Sequence, residues 1–94
     1  LTLSTITEKV RNRFKLAKDV RGLVVTEVDE DGPAAEKNIR PGDVIVEASQ
    51  QEVSAIGDVL DKVRDAKEAG RKTLLLLVEG QGGMRFVVVR IRES

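Results

Sequence analysis

The run Thr73-Leu74-Leu75-Leu76-Leu77-Val78-Glu79, then Gly80-Gln81-Gly82-Gly83, then Met84 to Ile91, constrains the fold of this 94-residue chain more than any other stretch. Unbroken apolar character from Leu74 to Val78 leaves neither face of an extended strand polar, so a strand from Thr73 to Glu79 needs a central place in a sheet. The glycine-rich tetrapeptide reads as a hairpin turn, with Met84 to Ile91 returning beside the first strand. Because the last two strands form a hairpin, an open parallel sheet fits poorly. The same glycines lack the following helix and the Lys-Ser/Thr pair of a phosphate-binding loop.

Upstream, Leu1-Thr2-Leu3-Ser4 alternates apolar and polar, as a half-buried strand does. Thr5-Ile6-Thr7-Glu8 fits a capping box, with Ile6, Val10 and Phe14 following as one apolar stripe of a helix. Arg11, Arg13 and Lys15 fall largely off that stripe and read as a solvated face. Gly22 to Val28 is rich in β-formers. Pro33 suits the first turn of a short helix through Glu36, and Asn38 can end it in a left-handed conformation. Val44 to Ala48 is a strand, and Val53 a short bridge. Ser54 is a plausible cap for a helix from Ala55 to Ala69, with Gly70 placed as a C-terminal cap glycine. The order is strand, helix, strand, short helix, strand, long helix, strand, strand. It predicts a small sheet curled around a core, with helices plugging its openings.

Composition excludes several classes of function. The chain has no cysteine and no histidine, which removes disulfides, thiolate sites, the commonest general base and the commonest zinc ligand. Lys plus Arg equals Asp plus Glu at 16 each, without the basic excess of a duplex-binding protein. Phe14 and Phe86 are too few for a base-stacking platform. No apolar run reaches the roughly 20 residues of a membrane span. The acidic cluster Glu27, Asp29, Glu30 and Asp31 lacks the spacing and closing glutamate of a calcium loop. Ser4, Ser49, Ser54 and Ser94 sit near no Lys in a recognisable motif, so no catalytic residue, metal site or cofactor is expected.

Gly22-Leu-Val-Val-Thr-Glu-Val, then Gly32-Pro-Ala-Ala, then Ile39-Arg-Pro-Gly-Asp-Val-Ile, then a long helix and a paired strand, resembles a PDZ domain. The order of elements resembles the circularly permuted bacterial form found in the HtrA/Deg (Do-like) periplasmic serine proteases. The resemblance implies a mainly β fold, a partly open antiparallel barrel or sandwich. One short and one long helix cap it, and an extra N-terminal helix is added. It implies one domain, 1–94, that begins inside its own carboxylate-binding loop, with Leu1 at the last position of the apolar-Gly-apolar motif. Ser49-Gln50 replaces the usual Asn-Gly-like pair after the Val44–Ala48 strand.

The function implied is peptide binding by β-augmentation, with unfolded or C-terminal apolar segments as partners, in the periplasm, for a protease whose catalytic residues lie elsewhere. The peptide would add to Leu1, Thr2, Leu3 and Ser4. The opposite wall would come from the long helix, where Ile56, Leu60 and Val63 form one stripe and Val59, Val63 and Ala66 another. The expected assignment places Ile56 and Leu60 in the groove, Val59 and Ala66 in the core, and Val63 in both. The periodicity is equally satisfied if all five are core. Pro41-Gly42-Asp43 re-aims the chain into a bracing strand, and Gly42 and Asp43 are expected to make no ligand contact. A different class of function, an assembly or regulatory module docking neighbouring subunits of an oligomeric protease, fits the same resemblance. Neither nucleic acid nor membrane insertion is expected.

Overall fold

One antiparallel sheet organises the chain in a computed structural model that describes residues 1–80 and 82–91. Its elements are β1 (Thr2–Thr5), α1 (Glu8–Arg13), β2 (Leu23–Glu27), α2 (Pro33–Glu36), β3 (Val44–Ala48), β4 (Gln51–Glu52), α3 (Ile56–Glu68), β5 (Thr73–Gly80) and β6 (Gly83–Arg90). The sheet order is β1-β2-β3-β5-β6, with β4 paired to β3. β5 therefore takes the interior position that its two apolar faces predict. The β5–β6 hairpin closes with Gly80 opposite Gly83, and Gln81 lies outside the described residues.

β3 is the hub of the sheet. Val44 and Ile45 pair with β2, Glu47 and Ala48 pair with β4, and β5 runs along the other edge. The β3–β5 register shifts between Ile45 and Glu47, a bulge that bends the strand and lets the sheet curl. β1 and β6 end the pairing path, so the barrel stays partly open.

Strand alternation divides the apolar residues between two faces. Leu23, Val25, Ile45, Leu74, Leu76, Val78 and Val87 face inward to one core with Ala34, Ile39 and Ala66. Val24 and Val44 are buried outside that cluster, on the opposite face, where Phe14, Leu16 and Val20 stand beside Val44. Each fully buried Val, Leu or Ile contributes roughly 1.5–3 kcal/mol relative to exposure.

Local chemistry corrects several expected boundaries. The cap of α1 is Thr7, not Thr5: its hydroxyl accepts from the Val10 amide at 3.2 Å while Thr5 pairs with Leu23 in the sheet. The residue flanking α3 is Ala55, not Ser54. The bridge expected at Val53 lies one and two residues earlier, in β4, and Val53 itself is buried with its amide donating to the Val46 carbonyl at 3.1 Å. Asn38 does take the left-handed conformation, at φ 61°, after α2.

The Pro41–Asp43 corner is tied on two sides. Gly42, at φ 96°, donates to the Val25 carbonyl at 2.8 Å, and Val25 donates to the Asp43 carbonyl at 2.8 Å. The Asp43 carboxylate accepts from the Arg40 amide at 3.0 Å. From β6, the Arg85 guanidinium donates to the Asn38 carbonyl at 2.9 Å, and Arg90 pairs with Glu36 at 2.5 Å, holding α2 against the last strand.

Candidate functional site

β1 is a short edge strand. Its register on β2 runs Leu3 to Val25, Ser4 to Val24 and Thr5 to Leu23, with a shift at Thr2 that leaves Thr26 bulged. The Thr26 hydroxyl donates to the Thr2 carbonyl at 3.3 Å across this irregularity. Among the described strands β1 pairs with β2 alone, so its other edge carries backbone donors and acceptors without a strand partner. Leu3 packs onto the core, which fixes the strand's facing, because a slip of one residue would turn Leu3 to solvent.

α3 approaches β1 and stands on β5. Its C-terminus is a Schellman motif: Gly70, at φ 76°, donates to the Lys67 carbonyl at 3.0 Å, and Arg71 to the Ala66 carbonyl at 2.8 Å. At its N-terminus the Asp58 carboxylate accepts from the Ser54 amide at 2.9 Å and the Ala55 amide at 3.0 Å. Those two backbone bonds, Ser54 first, hold the Asp58 carboxyl below the usual aspartate range. Sequence reasoning missed Asp58. An acidic residue three positions after Ala55 was the available signal.

The two faces of α3 differ. Ala66 is buried, and Val59 and Val63 pack against the core. Ile56 and Leu60 stay 41% and 62% exposed. The helix is thus fixed by Val59, Val63 and Ala66, while Ile56 and Leu60 are held out from it. Lys62 on the same helix hydrogen-bonds the Gln51 side chain of β4.

Thr2, Leu3 and Ser4 lie on the edge strand, and Ile56, Leu60 and Val63 on the helix beside it. Leu1 lines a different concavity, of about 180 Å³, formed with Pro33, Ala34 and Val89 and without a residue of α3. The Ser4 hydroxyl donates to the Thr5 carbonyl at 2.9 Å. Ser94 lies outside the described residues. Among the described residues no group of three or more His, Cys, Asp or Glu stands together as a metal site. No helix among them is long and apolar enough to cross a membrane.

Fold and site together define a small strand-and-helix module, a partly open antiparallel sheet in which the open edge of β1 lies beside the amphipathic helix α3. The chain belongs to the PDZ domain family, whose model matches residues 7–79. It is 47% identical over 70 residues to a probable periplasmic serine endoprotease DegP-like of Bartonella henselae, covering 74% of this chain and 14% of that protein. It is 40% identical over 78 residues to the Brucella suis protein of the same description, covering 83% of this chain and 15% of that one. The chain therefore spans about one-seventh of the length of these relatives. Among solved structures, the HtrA-type protease AlgW with decapeptide superposes at TM-score 0.69 and 24% identity, over 98% of this chain and 28% of that one. The HtrA3 PDZ domain bound to a phage-derived ligand superposes at 0.65 and 21%, over 99% of this chain and 80% of that one. At these identities the two structures establish the fold.

Proposed function

We propose that this chain is the peptide-binding PDZ module of a periplasmic serine endoprotease of the HtrA/Deg type. It takes extended or C-terminal apolar segments and presents them to a catalytic domain elsewhere in the longer protein. The observation that carries the reading is the pairing of the open β1 edge with Ile56 and Leu60, exposed apolar residues on a helix that its other face locks to the core. An incoming strand gains main-chain hydrogen bonds from Thr2, Leu3 and Ser4, and its alternate side chains meet Ile56, Leu60 and Val63. The helix offers no histidine to a ligand hydroxyl, so apolar ligand side chains are favoured. Relatives named as periplasmic endoproteases support the setting.

Calorimetric titration with short apolar peptides, each with a free or an amidated C-terminus, tests this. Binding of either form that is lost on Leu60→Glu supports the groove, and a preference for the free acid adds C-terminal reading. No binding of any peptide, with β1 pairing instead against a second subunit, would replace this reading with an assembly role.

A further inference from the structure

Leu3 turns its side chain to the core and its main chain to the open edge of β1, and the cause lies one strand further in. Val25, the residue opposite Leu3, donates its amide to the Asp43 carbonyl at 2.8 Å and accepts at its own carbonyl from the Gly42 amide at 2.8 Å. Both backbone groups of Val25 are thus committed to the Pro41–Asp43 corner. Opposed residues of an antiparallel pair alternate between bonded and non-bonded, so Leu3 and Val25 form a non-bonded pair. The Leu3 amide and carbonyl therefore point away from β2. Among Thr2, Leu3 and Ser4, Leu3 is the residue whose main-chain pair meets an incoming strand.

The aim of that amide is tied to a side chain of β2. The Thr2–Leu3 peptide is trans, so the Thr2 carbonyl and the Leu3 N–H point in opposite directions. The Thr26 hydroxyl donates to the Thr2 carbonyl at 3.3 Å and draws that oxygen towards β2. The same peptide plane then carries the Leu3 N–H towards the open edge. This bond stands at the register shift, where Thr2 lies opposite Glu27, Leu3 opposite Val25, and Thr26 is the residue left over. A bulge disrupts the ladder locally, so the hydroxyl fixes an orientation where regular pairing is interrupted. A hydrogen bond accepted at the carbonyl also polarises the peptide and makes its N–H a stronger donor.

Resting on the peptide-binding reading above, we infer that Thr26 is a positioning residue of the groove. Its hydroxyl acts through the Thr2–Leu3 peptide, aiming the Leu3 amide at a main-chain carbonyl of the bound segment.

Two variants separate the hydroxyl from the rest of the side chain. Thr26→Val keeps the shape and removes the donor, and Thr26→Ser keeps the donor and removes the methyl group. Thr26 is half-buried, and chemical denaturation checks that each variant keeps the fold. In calorimetric titrations with short acetylated peptides of Val, Leu and Ser, Thr26→Val is expected to bind about two- to tenfold more weakly, the worth of one neutral hydrogen bond. Thr26→Ser should bind as the wild type does. The orientation itself is read in the free protein from the residual dipolar coupling of the Leu3 N–H. That coupling should change in Thr26→Val and be retained in Thr26→Ser, while those of β3 and β5 stay the same. A merely structural role would not single out Leu3. Unchanged affinity in Thr26→Val, equal weakening in both variants, or a Leu3 coupling that does not move would each overturn the proposal. A wild-type protein that binds none of these peptides would overturn the groove reading and the role of Thr26 with it. Wild-type binding that Thr26→Val leaves intact would remove the role of Thr26 alone.

Discussion

A Cβ placed on Gly22 would lie 2.2 Å from the carbonyl oxygen of Ile45. Gly22 also sits at φ 129°, outside the conformations L-residues favour, so backbone strain and steric exclusion act together where β2 enters the sheet. Gly22→Ala should therefore destabilise the domain by about 2 kcal/mol or more, since the obstructing atom is main chain and cannot rotate away. Chemical denaturation measures it, and an unchanged midpoint would mean that β2 and β3 approach less closely.

The β3–β4 turn predicts a gain. Ser49 and Gln50 connect paired Ala48 and Gln51 at φ 51° and 64°, the two left-handed residues of a type I′ hairpin. Neither residue type favours that conformation, so Gln50→Gly should stabilise by roughly 0.5–1 kcal/mol after the entropic cost of glycine. For a domain of this size that is a rise of about 2–6 °C in Tm by calorimetry. The Ser49 amide, which donates to the Leu75 carbonyl at 2.8 Å, should stay protected from hydrogen exchange.

Leu60→Glu separates binding from stability. Leu60 is 62% exposed, so a carboxylate there keeps its water and the unfolding midpoint should move by less than about 0.5 kcal/mol. Peptide affinity should fall about tenfold or more, because the charge then faces an apolar ligand side chain. The contrasting change is Ala66→Leu. It overpacks the buried face and should cost about 1–3 kcal/mol. A collapse of stability in Leu60→Glu would place Leu60 in the core.

Asp58 gives the α3 N-terminus a pH dependence of known sign. Its carboxyl is held below the ordinary range in the folded state, so its contribution is fully present above the unfolded-state value of roughly 4 and fades as pH falls through the folded value. Asp58→Asn should lower Tm at neutral pH, and the difference from the wild type should shrink as pH falls below about 4. A difference that persists unchanged to low pH would assign the loss to packing.

Much of the fold was legible because it rests on local signals. The apolar run at Leu74–Val78, the glycines at 80, 82 and 83, and the Pro41-Gly42 corner each have one conformation that satisfies them. Caps were less legible. Thr5 and Thr7 both offer a hydroxyl, and the choice fell to Thr7 because Thr5 is held by Leu23 from another strand. The outer face was illegible for a different reason. Met84 to Val89 is apolar at nearly every position, so alternation gives no hint that Phe86 and Val88 face outward while Val87 is buried. Of the candidate groove, the helix stripes could be written down, but which stripe met the core depended on how α3 lies on β5. The tie from Arg85 to the carbonyls after α2 joins residues 47 and 48 positions apart and left no local trace.

The two-sided pairing of β3 also sets a timetable for a chain made from its N-terminus. Once β4 is complete, β3 can hold β2 and β4 along one edge, but its other edge belongs to β5, which follows the whole of α3. Until β5 emerges, Ile45 and its neighbours expose a hydrophobic, unpaired strand margin. The nascent polypeptide therefore passes through a stage in which it offers the same kind of open edge that the finished domain offers at β1, and the whole segment from β4 to β5, α3 with the loops on either side of it, sets how long that stage lasts.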